Sequence, residues 1–160
     1  MIEYDEFAPE RLFFAVREDK LIFVSGCENG EKELRDWLEK YFPNEPMNRT
    51  DLPVFKEWLQ AYFVGKRVAI PPYELTGTTF QKQVWEVLFK VEYGKTISYT
   101  ALAEKLGRQS AVRAVASAVG KNPLLIVCPC HRIIGKDGTL HGYRGGLIMK
   151  KRLLALERIC

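Results

Sequence analysis

Tyr99-Thr100-Ala101-Leu102-Ala103-Glu104-Lys105-Leu106 and Ser110-Ala111-Val112-Arg113-Ala114-Val115-Ala116-Ser117-Ala118-Val119 are separated only by Gly107-Arg108-Gln109, and Gly120 follows the second of them. Each long segment reads as a short helix. The glycine turns the chain between them, and Gly120 is the natural C-terminal cap. Two short helices joined by a tight, glycine-containing turn match a helix-turn-helix. In the second helix Arg113 is the one long polar side chain. Small neighbours let such a helix lie close to a groove floor while the arginine reaches in. The same alanines fit a helix that is merely well packed, and from this segment alone both readings stand.

Working toward the N-terminus, Thr78-x-x-Gln81 forms a capping box for a helix with Phe80, Val84, Trp85, Leu88 and Val91 on one face, closed by Gly94. Before it, Pro71-Pro72-Tyr73-Glu74-Leu75-Thr76-Gly77 has the composition of a linker. The charge changes sign just beyond. Residues 79–160 carry fourteen Lys/Arg against five Asp/Glu, a net of +9, whereas residues 1–78 carry ten against fifteen, a net of −5. These signals divide the chain into an N-terminal strand-and-helix domain, 1–76, and a C-terminal domain, 77–160. A basic half points toward a polyanionic partner, with nucleic acid the first candidate and a solvated basic surface the alternative.

Within 1–76, Arg11–Val16 and Lys20–Ser25 read as two strands joined by a polar turn around Glu18-Asp19. Leu34, Trp37, Leu38 and Tyr41 recur at helical spacing, and Pro43 ends that helix. A second helix carries Phe55, Trp58, Leu59 and Tyr62, with Thr50 or Asp51 as its cap and Pro53 in its first turn. Lys66–Ile70 reads as a short strand. Aromatic stripes of this kind are core rather than a cofactor box.

Composition removes several classes. With 47% hydrophobic and 28% charged residues the chain is neither disordered nor fibrous. No apolar run approaches the roughly 20 residues that span a bilayer. The acidic start, Met1-Ile2-Glu3-Tyr4-Asp5-Glu6, is unlike a signal peptide. An intracellular location, cytoplasmic or nucleoid-associated, is therefore expected. Cys27, Cys128, Cys130 and Cys160 are too scattered for a disulfide scaffold. Cys128 and Cys130 are one residue apart and only two histidines exist, so no metal site is expected.

Toward the C-terminus, the apolar run Leu124-Leu125-Ile126-Val127 has strand character and leads into Cys128-Pro129-Cys130-His131-Arg132. A thiol becomes a useful nucleophile when a neighbouring base or cation raises its thiolate fraction. Cys130 is followed directly by a histidine and an arginine, and Pro129 fixes the backbone before it. The other reading is an inert buried cysteine beside a structural histidine.

The string Pro129-Cys130-His131-Arg132, with Asn122-Pro123 before it and Gly142-Tyr143-Arg144-Gly145-Gly146 after it, resembles the O6-alkylguanine-DNA alkyltransferases, or methylated-DNA–protein-cysteine methyltransferases. So do Gly77-Thr78-Thr79-Phe80-Gln81-x-x-Val84-Trp85, Ile97-Ser98-Tyr99, Ala111-Val112-Arg113-Ala114-Val115, and Lys151-Arg152-x-Leu154-x-x-Leu156-Glu157. The resemblance implies an α+β chain with a small ribonuclease H-like N-terminal domain and a winged helix-turn-helix-like C-terminal domain carrying the site. It implies repair of duplex DNA containing O6-alkylguanine, by extrusion of the base and irreversible, single-turnover transfer of the alkyl group to Cys130. No cofactor and no membrane are implied, and a monomer is expected.

Carried over residue by residue, the resemblance makes His131 the base that deprotonates Cys130 through a water, oriented by Glu157. Asn122 braces the turn, and Tyr99 donates to the departing base. Arg113 fills the vacated stack. Tyr99, Ser110, Ala114 and Arg132 join it at the DNA interface, while Tyr143, Arg144, Gly145 and Ile133 form the pocket. Cys128 stands where many relatives have an apolar residue, as a packed hydrophobe or a redox partner, and Cys27 and Cys160 are bystanders. Three rivals remain: a non-catalytic alkylated-DNA binder, a winged-helix regulator and a cysteine hydrolase.

Overall fold

The computed structural model describes residues 1–159, so Cys160 lies outside the described residues. The chain forms two compact units, Met1–Thr76 and Gly77–Cys160, of mixed α+β structure. Among the described residues no helix is long and apolar enough to cross a membrane.

The first unit is built on a four-stranded sheet of β1 (Ile2–Phe7), β2 (Leu12–Arg17), β3 (Lys20–Val24) and β4 (Met47–Arg49), in the order β3-β2-β1-β4. β1–β2 and β2–β3 are antiparallel, and β4 joins β1 in parallel. Two helices cover it, α1 (Gly30–Tyr41) and α2 (Pro53–Phe63). Side chains alternate across a strand. On one face Ala15 packs with Leu34 and Leu38 of α1. On the other, Phe14 meets Phe55 of α2 with ring centroids 6.2 Å apart.

A strand appears here that the sequence reading lacks, and two expectations change. The acidic N-terminus is a central strand, because Asp5 is buried and used: its carboxylate accepts from the Glu6 and Leu52 amides and pairs with Lys56 at 3.0 Å. That same carboxylate takes an amide at the start of α2, where neither Thr50 nor Asp51 caps; the N-cap residue is Leu52 and has no side-chain cap. Lys66–Ile70 forms no strand. The edge of β3 is instead met beyond the prolines, where Leu21 donates to Pro72 O at 2.8 Å and accepts from Glu74 at 2.9 Å, leaving Val68 and Ile70 exposed.

The second unit opens on α3 (Thr79–Leu88). Both capping-box bonds form, Gln81 N to Thr78 Oγ1 at 3.1 Å and Thr78 N to Gln81 Oε1 at 2.9 Å. Gly77 is required by close approach, since a Cβ there would stand 2.5 Å from the Trp85 ring. The helix stops at Leu88, so Gly94 lies in a later turn with φ +77° rather than closing it. Trp85 is buried and donates from Nε1 to Ala118 O at 2.8 Å, tying α3 to the helix that follows the turn.

That turn joins α4 (Tyr99–Lys105) to α5 (Val112–Gly120), with Gly107 at φ +66°. Residues 109–111 form a 3₁₀ turn, so α5 begins two residues later than Ser110 and Gly120 is its last helical residue, not a cap beyond it. A short parallel ribbon pairs β5 (Ile97–Ser98) with β6 (Ile133–Ile134), and α6 (Leu147–Ile159) ends the chain. Leu124–Val127 is buried throughout but is one isolated bridge residue followed by a run of turns, not a strand, with Ile126 at φ +72°.

Candidate active site

The cause of that run of turns is one buried amide. Asn122 accepts from Leu124 N at 2.9 Å and donates through Nδ2 to Cys128 O at 2.9 Å and Leu124 O at 3.3 Å. A buried polar group needs partners, and here the chain folds around the side chain to supply them. The same Nδ2 lies 3.2 Å from Cys130 Sγ. Asn122 thus shapes the turn and touches the sulfur that the turn presents. Arg144 closes the other side, donating to Asn122 O at 3.1 Å and Pro123 O at 3.2 Å.

Cys130 opens a 3₁₀ turn that also contains His131 and Arg132, all three buried. His131 Nε2 forms a short hydrogen bond to Glu157 Oε2, across from α6. A carboxylate only accepts, so the ring carries its proton on Nε2, which leaves Nδ1 as the acceptor nitrogen. Glu157 is crowded with donors. Arg132 Nε reaches Oε1 at 2.7 Å, Arg132 Nη2 reaches Oε2 at 3.2 Å, and Gly94 N reaches Oε1 at 3.1 Å. Arg132 Nη1 also donates to Val91 O at 2.6 Å, and the guanidinium lies over the Tyr93 ring.

Electrostatics follow from this burial. Desolvation pushes the Cys130 thiol up to about 11, opposed by the Asn122 hydrogen bond and the charge of Lys150. Desolvation also lowers His131, although Glu157 pulls the other way. The resting site is therefore a protonated thiol beside a neutral imidazole. Cys128 is fully buried and strongly raised by desolvation, with Sγ 3.7 Å from Trp85 O, the position of a packed hydrophobe.

The remaining sequence candidates divide. Tyr99, half-buried at the start of α4, is close enough to Cys130 for a thiolate there to raise the phenol, after desolvation. Ser110, in the turn before α5, is exposed, as are Arg113 and Ala114 on it, and with Ser117 and Gly120 these two leave α5 a narrow face of small residues carrying one cation. Arg132 does not belong with them. Its guanidinium is buried and spent on Glu157 and Val91, so it offers nothing to a duplex. Ile133 is wholly buried in β6 as a core residue, not a wall of an open pocket. Gly145 permits close approach of its own neighbours, since a Cβ there would meet Met149 Sδ at 2.6 Å and the Tyr143 ring at 2.7 Å.

Lys150 was not anticipated. It is fully buried on α6, donates to His141 O at 3.3 Å and interacts electrostatically with Cys130. Its signal was periodicity: 150, 153, 154 and 157 share one helical face, which puts this lysine in line with Glu157.

Residues 79–159 match the family described as 6-O-methylguanine DNA methyltransferase, DNA binding domain. The chain is 43% identical over 141 residues to the inducible methylated-DNA–protein-cysteine methyltransferase of Bacillus subtilis, covering 86% of this chain and 79% of that protein. It is 43% identical over 127 residues to the methylated-DNA–protein-cysteine methyltransferase of Haemophilus influenzae, covering 76% and 71%. Mycobacterium tuberculosis OGT, solved in complex with DNA, matches with a TM-score of 0.83 at 32% identity over 98% of this chain and 93% of that one. The O6-methylguanine-DNA methyltransferase of Pyrococcus kodakaraensis matches at 0.75 and 26% identity, over 98% and 99%. Sequence and fold thus fall in one class, that of the methylated-DNA–protein-cysteine methyltransferases. The chain belongs to the 6-O-methylguanine DNA methyltransferase family.

Proposed function

We propose that this chain is a direct-reversal repair protein that draws O6-alkylguanine out of duplex DNA and transfers the alkyl group irreversibly to Cys130. The observation that carries the reading is the arrangement around one sulfur: Cys130 on the Asn122 turn, followed by a neutral His131 fixed by Glu157. The S–C bond forms as the O6–C bond breaks. The thiol proton passes to His131 Nδ1 through a water, and Tyr99 supplies a proton to the guanine as it departs with negative charge. Proton transfer from His131 then restores the phenol, so no cofactor is needed. The thioether is not cleaved, and each molecule acts once.

Residues 77–160 act as the DNA-binding and alkyl-acceptor domain, in a winged helix-turn-helix arrangement, and residues 1–76 as a ribonuclease H-like domain. The exposed face of α5 enters the groove, with Arg113 occupying the space the base leaves and Ser110, Ala114 and Tyr99 near it. Tyr143, Arg144 and Gly145 frame the pocket. The chain works as a monomer on DNA, in the cytoplasm or nucleoid.

Mass spectrometry after incubation with O6-methylguanine DNA tests this. One methyl group on the Cys130 peptide, in stoichiometric amount and absent from Cys130→Ala, is the expected result. Methyl on Cys128, or repeated turnover, overturns it. Cys130→Ala is also expected to hold duplex DNA with affinity within about twofold of the parent, since the sulfur contacts no phosphate.

A further inference from the structure

We infer that the open cleft between α3 and α4 seats phosphates of one DNA strand, beside the groove that α5 enters. The inference rests on the proposed action on duplex DNA and deepens it. The cleft has a volume of about 610 Å³. Lys82, Glu86 and Val87 line it from α3, and Lys105, Leu106 and Arg108 from the end of α4 and the turn after it. Val87 and Leu106 are half-buried, while all four charged side chains are exposed. Lys82 and Glu86 stand at the i,i+4 spacing of a helical ion pair. Yet among the described residues neither they nor Lys105 and Arg108 form one. Three cations thus face one open space against a single carboxylate.

Arg108 is held in place. Its guanidinium lies over the Phe80 ring of α3, 5.6 Å from the centroid. A guanidinium stacked in this way keeps its in-plane N–H donors free for an oxyanion. Its amide donates to Ala103 O at 2.8 Å and its carbonyl accepts from Ala111 N at 2.8 Å, so the turn is tied to α4 on one side and to the start of α5 on the other.

The occupant follows from where the cleft stands. A helix seated in a groove of the duplex has a sugar-phosphate wall on either side, and the protein that carries the helix rests on those walls. The chain reaches α5 through residues 106–111, and Leu106 and Arg108 of that segment belong to the cleft. The wall beside the N-terminal end of α5 therefore lies within reach of the cleft. Lys82 comes from one side of the cleft and Lys105 and Arg108 from the other, so a strand lying in it meets positive charge on both. Glu86 is the exception. A carboxylate among phosphates repels them, and it weakens a contact that the three cations make.

The experiment is duplex affinity measured against salt concentration. The chains compared are the unaltered one, Lys82→Gln, Lys105→Gln, Arg108→Gln, Glu86→Gln, and Lys90→Gln as an exposed cation outside the cleft. Each of the three cleft cations should carry about 0.9 of the log–log slope, one phosphate contact apiece, so each variant flattens it by that amount while Lys90→Gln does not. Lys82→Arg keeps the charge and should keep the slope. Glu86→Gln should tighten binding about twofold to fivefold, the scale of a unit charge repelled through water. Unchanged slopes in two or more of the cleft variants would overturn the inference. So would equal flattening by Lys90→Gln, which would reduce the cleft to part of a diffuse basic surface, or unchanged or weaker binding by Glu86→Gln. A salt-independent affinity in the unaltered chain would instead sink the duplex reading beneath it.

Discussion

At the scale of single residues, the proposed nucleophile rests unarmed. A thiol held near 11 is ionised to roughly one part in ten thousand at pH 7, so reaction depends on a base acting at the moment of transfer. The proposed base must be neutral, and burial favours the neutral form of His131. Glu157 fixes its tautomer and at the same time neutralises Arg132. Glu157→Gln should therefore do two things: slow Cys130 alkylation and destabilise the second unit by about 3 kcal/mol, because a buried guanidinium loses its counter-charge. Urea titration with single-turnover kinetics checks both, and unchanged stability would contradict the pairing. Arg132→Lys separates structure from DNA contact. A lysine keeps the charge but not the planar fork, so stability should fall by about 1.5–3 kcal/mol while duplex affinity stays within twofold. Lost affinity at full stability would return Arg132 to the interface.

Elements show where local sequence suffices and where it does not. The Thr78–Gln81 capping box and the Gly107 turn were legible because each is complete within a few residues. Leu124–Val127 was not, because its β-branched, apolar run is overridden by hydrogen bonds from Asn122. β1 was hidden by an acidic composition whose meaning depends on Lys56, fifty-one residues from Asp5. Cys130, His131 and Arg132 were legible as neighbours in sequence; that Arg132 turns inward was not, since Glu157 and Val91 come from elsewhere. On α5, the exposed residues are Arg113, Ala114, Ser117 and Gly120, and all but the arginine are small enough for the helix backbone to approach a groove closely. Arg113→Ala should then slow repair in duplex DNA by tenfold or more while leaving transfer from O6-alkylguanine as a free base nearly unchanged. Only the duplex reaction pays to unstack a base, and about 1.4 kcal/mol of that cost returned to the barrier is a factor of ten. Equal slowing on both substrates would assign Arg113 to the fold instead.

For the whole molecule, charge and buried titratable groups set the conditions under which it works. The +9 carried by residues 79–160 makes duplex affinity fall with salt, with a log–log slope of about −0.9 per phosphate neutralised. A salt-independent affinity would mean that the basic half is only solvated. Acid acts differently, through His131. Its folded pKa is lowered by burial below the 6.5 of an exposed histidine, so folding favours the neutral ring. The resulting contribution to stability is complete above 6.5. It is lost as pH falls from there toward the lowered folded value, because the unfolded chain takes up the proton first. Between those two values the loss runs at up to about 1.4 kcal/mol per pH unit. Asp5 has the same sign, but its loss begins only below 3.8, outside this window and in the other unit. The measurement is the urea midpoint of the second unit between pH 7 and pH 5, read from Trp85 fluorescence in a chain carrying Trp37→Phe and Trp58→Phe. A steady fall is expected, and His131→Gln, which still donates to Glu157 but does not titrate, should flatten it. If the slope persists unchanged in His131→Gln, some other group carries the acid sensitivity, and the neutral imidazole proposed as the base loses its thermodynamic support.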